Sequence, residues 1–262
     1  MGIVNVTPDS FSGDGLGDDP GSAAERARRF EAEGADIIDL GAESSRPGAP
    51  GLDPKEELGR LLPALEAVRA ATTLPISVDT YHAQVAEAAI QAGAGLVNDI
   101  WGLRHDKEMA NVVARAGAPL VAMHNQRGRK HHDVAGDIRT GFEASLSLAD
   151  AAGVPRERII LDPGFGFGWS EQQNLEMVRR LPELWALQLP LLVGPSRKST
   201  IGTVLDVPVN ERLEGTAAVV ALAIAKGADI VRVHDVREMV RVARVADAIV
   251  RANWPPARGQ EP

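Results

Sequence analysis

Eight short apolar runs, each followed by a stretch with helical spacing, restrict the fold of this 262-residue chain more than any single motif does. The runs are "GIVNVT" (2–7), "IIDLGAE" (37–43), "PISVDT" (75–80), "LVNDI" (96–100), "PLVAMH" (119–124), "IILDPG" (159–164), "PLLVGP" (190–195) and "IVRVHD" (230–235). Their apolar parts are near-continuous rather than alternating, as parallel strands buried on both faces require. The stretches "AAERARRFEAEGA", "AQVAEAAIQAGA" and "GTAAVVALAIAKGA" run into the glycine that often follows a helix, and "REMVRVARVADAIV" carries an apolar stripe at helical spacing. Eight βα units in this length predict an α/β chain: a single (β/α)8 TIM barrel domain over residues 1–262, with long loops after strands 1 and 2. A doubly wound sheet is the alternative. No break in composition marks a second domain.

Composition narrows the function classes. Aromatics are only 4% of the chain, so the core is aliphatic. No apolar run reaches the length of a membrane span, and the N-terminus "MGIVNVTPDS" has neither a basic region nor a signal-like apolar stretch. The absence of cysteine excludes disulfides, thiolate metal sites and cysteine nucleophiles, and suits a cytoplasmic protein. The net charge is −8, and the densest basic patch, "RGRKHH" at 127–132, is short. Nucleic acid and membrane are therefore not expected partners; a small anion is, provided cations gather locally. The His131–His132 pair has no obvious third ligand, and no Ser-His-Asp order, GxGxxG fingerprint or HExxH motif appears.

A barrel places its chemistry at the C-terminal ends of its strands. Polar residues stand at all eight exits: Asn5 and Thr7; Glu43; Asp79 and Thr80; Asn98 and Asp99; His124; Asp162; Ser196, Arg197 and Lys198; Arg232, His234 and Asp235. Asp79, Asn98 and Asp162 offer the acceptors that a flat heterocycle with amide and amino edges needs. Arg46, Lys198, Arg232 and His234 suit a phosphate or diphosphate. Each charge has a plainer reading as a solvated rim residue or structural ion pair, but eight converging sets favour a pocket. The stretch "DPGFGFGWSE" (162–171) admits two readings: Asp162 starts a tight turn, or it grips a ligand that glycines allow to come close. The loops "TPDSFSGDGLGDDPGS" and "SSRPGAPGLDP" are long enough to act as lids, and Phe11 in the first leans toward a substrate contact.

Taken in order, "MGIVNVTPDSFS", "GAESSRPGA", "SVDT", "VNDIWGL", "MH", "DPGFGFG", "GPSRKS", "ERLEGT" and "RVHDVREMVRVARVADA" resemble dihydropteroate synthases, the folate-pathway enzymes inhibited by sulfonamides. The resemblance implies condensation of 6-hydroxymethyl-7,8-dihydropterin diphosphate with 4-aminobenzoate, giving 7,8-dihydropteroate and diphosphate. It assigns the pterin to Asp79, Asn98, Asp162 and Lys198, with Met123 and Phe167 against its faces. It assigns the diphosphate to Ser45, Arg46, Arg232 and His234, and a Mg2+ cofactor to Asn5. Phe11, Pro47, Lys198 and Ser199 match the 4-aminobenzoate pocket; Lys198, Arg232, His234 and Asn5 form the catalytic set. A homodimer is expected on the same ground. Four departures stand out. Loop 1 reads "FSGDG" where "FSDGG" is usual, which moves the acid that would help hold Mg2+ to Asp14. Trp169 stands where Lys is common, and is expected on the outer wall of its loop, partly buried. Thr200 replaces a larger apolar residue. The chain starts at the motif's own Met, where relatives carry a preceding segment, so the barrel floor is expected to be less covered or the start truncated. Two rival readings remain: a methyltetrahydrofolate-dependent methyltransferase, which has no diphosphate to expel, and a non-catalytic pterin-binding paralogue.

Overall fold

The structure is a computed structural model that describes residues 1–7, 19–43 and 51–252. Strands β1 (Gly2–Asn5), β2 (Ile38–Gly41), β3 (Ile76–Asp79), β4 (Leu96–Asp99), β5 (Leu120–Met123) and β6 (Ile159–Asp162) pair in parallel in chain order. The two-residue strands β7 (Leu192–Val193) and β8 (Ile230–Val231) pair with each other. Bridges from Leu161 to Leu191 and from Gly2 to Val233 close the circle. At the β8–β1 seam the Ile3 N–H donates to Val233 O at 3.0 Å and the Val233 N–H to Met1 O at 2.9 Å. All eight expected strands are present and the ring is closed, which removes the doubly wound alternative.

Nine α-helices stand among the described residues, one more than the repeat predicts. They are α1 (Pro20–Glu33), α2 (Pro54–Ala71), α3 (Ala83–Gln91), α4 (Met109–Ala116), α5 (Val134–Ala152), α6 (Glu171–Arg180), α7 (Ser199–Leu205), α8 (Leu213–Ala225) and α9 (Val236–Val250). The addition is α7, which starts directly after Lys198, so the seventh unit carries two helices. Local chemistry sets the helix ends. Asp19 and Asp53 each cap a helix whose first residue is proline: their carboxylates accept backbone N–H groups that the helix leaves unpaired. Ser170 and Gln173 form a reciprocal capping box on α6. α1 ends at Gly34, whose φ of 94° needs a residue without Cβ.

The core has two layers. The larger packs the outer faces of the strands against the helices, with Phe30, Phe142 and Phe165 its largest members. A smaller cluster fills the barrel floor: Met1, Leu96, Val121 and Leu192, with Ile37, Ile160 and Ile230 packed against them. Among the described residues no helix is long and apolar enough to cross a membrane.

Candidate active site

The two-residue period of a strand decides what enters the barrel above that floor. Two positions beyond Ile37, Leu96, Val121, Ile160 and Ile230 come Asp39, Asn98, Met123, Asp162 and Arg232, on the same inner face. One such step carries β3 from Ser77 to Asp79, and two carry β1 from Met1 through Ile3 to Asn5. The floor is apolar, and the next layer toward the C-terminal rim is mostly polar.

Asp39, fully buried, is the hub of that layer. Its carboxylate accepts Arg232 Nε at 2.5 Å and Asn98 Nδ2 at 3.2 Å. Arg232 Nη2 donates to Asp79 Oδ2 at 2.6 Å, so one guanidinium bridges two strands' carboxylates. Burial opposes the charge on Arg232, but Asp39 and Asp79 outweigh it and keep it firmly protonated. Burial, against the pull of Arg232 and helped by Asp39, pushes the Asp79 carboxyl up to about 7.

The loop after β6 bears out the first of the two readings of "DPGFGFGWSE". Asp162 does start the turn: its Oδ1 accepts the Gly164 N–H at 2.8 Å. That engages one oxygen of a buried acid whose pKa burial raises to about 6, against the Gly164 N–H, Lys198 and Arg232. Gly164, Gly166 and Gly168 all take left-handed φ, from 78° to 84°. A Cβ on Gly164 would stand 2.0 Å from His124 O, one on Gly166 2.6 Å from Lys198 Cδ, and one on Gly168 2.4 Å from Arg127 N. The glycines therefore let this loop lie against β5's exit and against Lys198.

Phe167, Met123 and Ile100 make an apolar cluster with Tyr81 and Trp101 at its border. Lys198 Nζ lies 4.3 Å and Arg127 Cζ 4.7 Å from the Phe167 ring centroid, close enough for cation–π attraction. The Lys198 ammonium also donates to Phe165 O. Burial lowers the Lys198 pKa to about 7, with Asp162 opposing and Arg232 and Arg127 adding to the fall. Asn174 on α6 ties this side together: its Oδ1 accepts the Gly166 N–H at 2.7 Å and its Nδ2 donates to Thr200 Oγ1 at 2.9 Å. Thr200, one of the noted departures, thus anchors the loop through Asn174.

At the β7 and β8 exits, Ser196 Oγ meets both the backbone N–H and Nδ1 of His234, at 3.1 and 2.9 Å. Arg197 is paired with Asp235 at 2.5 Å. Ser199 is exposed at the start of α7. Asn5 ends β1 opposite Gly41. Phe11, Asp14, Ser45, Arg46 and Pro47 lie outside the described residues.

Other exit residues serve structure instead. Asp99 accepts the N–H groups of Trp101 and Leu103 at 2.8 and 2.7 Å. His124 is buried and holds Gln126 at 2.9 Å; burial lowers its pKa to about 4. Trp169 is more deeply enclosed than a partly buried wall residue: it is 8% exposed and packs with His124 in the outer core, apart from the Phe167 cluster. His131 and His132 both face Asp137, at 3.0 and 3.4 Å.

Sequence reasoning missed Asp39, Arg127 and Asn174. The acid inside the apolar run "IIDLGAE" signals the first; Arg127 read only as part of a loop patch, and nothing local signals Asn174.

The site stands in a known family. The family model described as pterin binding enzyme matches residues 1–234. Dihydropteroate synthase of Bacillus subtilis is 46% identical over 250 residues, covering 95% of this chain and 88% of its own. A Clostridium difficile dihydropteroate synthase crystallised with pteroic acid superposes with a TM-score of 0.91 at 49% identity, covering 96% of each chain. The Xanthomonas albilineans enzyme with 4-aminobenzoic acid gives a TM-score of 0.89 at 40% identity, covering 95% of this chain and 92% of that one. The chain belongs to the pterin-binding enzymes, and within them to the dihydropteroate synthase family. It is a transferase of folate biosynthesis that condenses 6-hydroxymethyl-7,8-dihydropterin diphosphate with 4-aminobenzoate, releasing diphosphate.

Proposed function

We propose the following division of labour for that reaction. Asp162, Asn98, Asp79 and Lys198 hold the pterin over Met123 and Phe167. The observation that carries this reading is the polar layer above the floor, where buried acids and an amide face one space beside a flat apolar cluster. Asp162 keeps Oδ2 for the guanidine-like edge while Oδ1 holds the turn; a buried carboxylate accepting two N–H groups binds such an edge strongly.

Arg232 and His234 take the diphosphate, with Ser45 and Arg46 from loop 2. Asp39 and Asp79 fix the Arg232 guanidinium through Nε and Nη2, and Nη1 belongs to neither pair. The cation is therefore oriented before substrate arrives, which spares reorganisation as charge grows on the leaving group. Ser196 holds the His234 ring. Phe11, Pro47, Ser199 and the Lys198 stem form the 4-aminobenzoate pocket. The apolar cluster excludes water from the pterin face.

Asn5 suits Mg2+ as an oxygen donor. Gly41, between Asn5 and Asp79 in the sheet, has no side chain to fill the space beside them. Mg2+ takes few protein ligands and fills its shell with water and phosphate oxygens; Asp14 is a second candidate. When bound, the ion neutralises charge on the departing diphosphate.

The whole chain acts as one domain in the cytoplasm, as a homodimer. Exposed Val204, Leu205, Leu222, Val245 and Ile249 on the neighbouring helices α7, α8 and α9 support the dimer. The test is diphosphate release with both substrates and Mg2+. Release is expected to need all three; pterin binding without amine-dependent release would overturn the residue assignment.

A further inference from the structure

The reaction leaves one buried cluster unused. Glu43 follows β2, Glu57 sits in the first turn of α2, and His82 precedes α3. One ligand atom from each lies within 4.8 Å of the others. His82 Nδ1 is 2.7 Å from Glu57 Oε2 and 3.9 Å from Glu43 Oε2. Around a tetrahedral ion with bonds near 2.0–2.1 Å, ligand atoms stand roughly 3.3 Å apart, so shifts of about half an ångström bring both separations into range.

Two oxygens here are buried with no hydrogen-bond partner among the described residues: Glu43 Oε2 and Glu57 Oε1. The Glu57 side chain has no solvent exposure and that of Glu43 only 10%. Within the trio only His82 is able to carry positive charge, against two carboxyl groups. Burial raises the Glu57 pKa, opposed by His82 and Thr80. Tyr81 donates to Glu43 Oε1 at 2.5 Å, which fixes that carboxylate with its other oxygen toward His82. The Tyr81 ring also packs 4.3 Å from the His82 ring and 4.7 Å from that of His105. Contacts of this outer kind set the orientation of metal ligands.

We propose that Glu43, Glu57 and His82 bind one divalent transition ion of the zinc class, with water completing the shell. Two carboxylates and an imidazole without thiolate suit such an ion, and imidazole selects against Mg2+. A dication also matches the charge of the two acids. The site is separate from the Mg2+ position assigned to Asn5, because its ligands come from β2, α2 and the β3–α3 turn. Its effect is structural: it pins the β2 exit to the starts of two helices, and binding to the folded state alone raises stability by mass action.

The experiment uses the tag-free, EDTA-treated chain without diphosphate, titrated with Co2+ and followed by calorimetry and visible absorption. One equivalent is expected, with the intense bands of low-coordinate Co2+, displaced by Zn2+ and not by excess Mg2+. Glu43→Gln and His82→Ala should each weaken binding by at least about tenfold, while Asn5→Ala leaves it unchanged. Circular dichroism checks folding, and His82→Gln replaces any misfolded alanine variant. Absence of stoichiometric binding by the wild-type chain overturns the proposal. So does undiminished binding in both ligand variants, or its loss in Asn5→Ala, which would place the ion at the diphosphate. Diphosphate release, measured without Co2+, reports separately on the reaction.

Discussion

Three glycine-to-alanine changes separate the conformational demand of the loop after β6 from its close approaches. Gly153, Gly164 and Gly166 share nearly the same positive φ, 79°, 78° and 83°. A methyl group at any of them pays the left-handed cost of about 1–2 kcal/mol. Nothing lies within 4 Å of a Cβ on Gly153, so Gly153→Ala measures that cost alone. On Gly164 the Cβ would meet the His124 carbonyl oxygen at 2.0 Å. That carbonyl is backbone, and the adjoining N–H bonds Asp162 O at 2.8 Å, so relief requires parting β5 from β6. Overpacking of this kind adds about 1–3 kcal/mol, and Gly164→Ala should lose about 2–5 kcal/mol in all. On Gly166 the obstacle is the flexible Lys198 stem at 2.6 Å. Gly166→Ala should therefore match Gly153→Ala in stability within about 1 kcal/mol, yet lower kcat/KM at least tenfold by displacing the lysine. Urea unfolding and steady-state kinetics read the two effects. Equal stability losses for Gly153→Ala and Gly164→Ala would refute the close-approach argument. Full activity in Gly166→Ala would detach Lys198 from the chemistry.

Two further outcomes follow from buried groups. Burial raises the Asp162 pKa from 3.8 to about 6, so the folded state holds that proton more tightly than the unfolded chain. Its contribution is complete below about pH 4 and is lost as pH rises through 6, an amount on the order of 3 kcal/mol. The stability of wild type relative to Asp162→Asn should therefore fall between pH 4 and 6 in denaturant titrations; a flat difference would mean the acid is not desolvated. Trp169 packs in the outer core with its Nε1 unpartnered, so Trp169→Lys should cost at least about 3 kcal/mol. Its KM for the pterin diphosphate should stay within a few-fold; a hundredfold rise would put the indole on the substrate.

The strand exits were legible because parallel strands buried on both faces are written as apolar runs, and a barrel turns the end of each run toward the site. What the runs alone did not separate is the two faces of each exit. Asn98 points inward and Asp99 outward, where its carboxylate is taken by backbone N–H groups. Met123 points inward, and His124 goes outward to pack with Phe142 and Trp169. Reading each run at a period of two from its floor residue sorts these pairs. The same step from Ile37 reaches Asp39, which an emphasis on the run's last residue, Glu43, passed over. Asn174 and Glu57 resist any such step. Each is a polar residue on an amphipathic helix, buried only because tertiary packing lays it against a strand exit from elsewhere in the chain: Asn174 against Gly166 and Thr200, Glu57 against His82. A helix pattern marks which face is buried, but not which buried position meets an unpaired polar group. These two side chains consequently needed the fold itself. The first holds the loop after β6 to α7, and the second completes a charge cluster that the reaction does not explain.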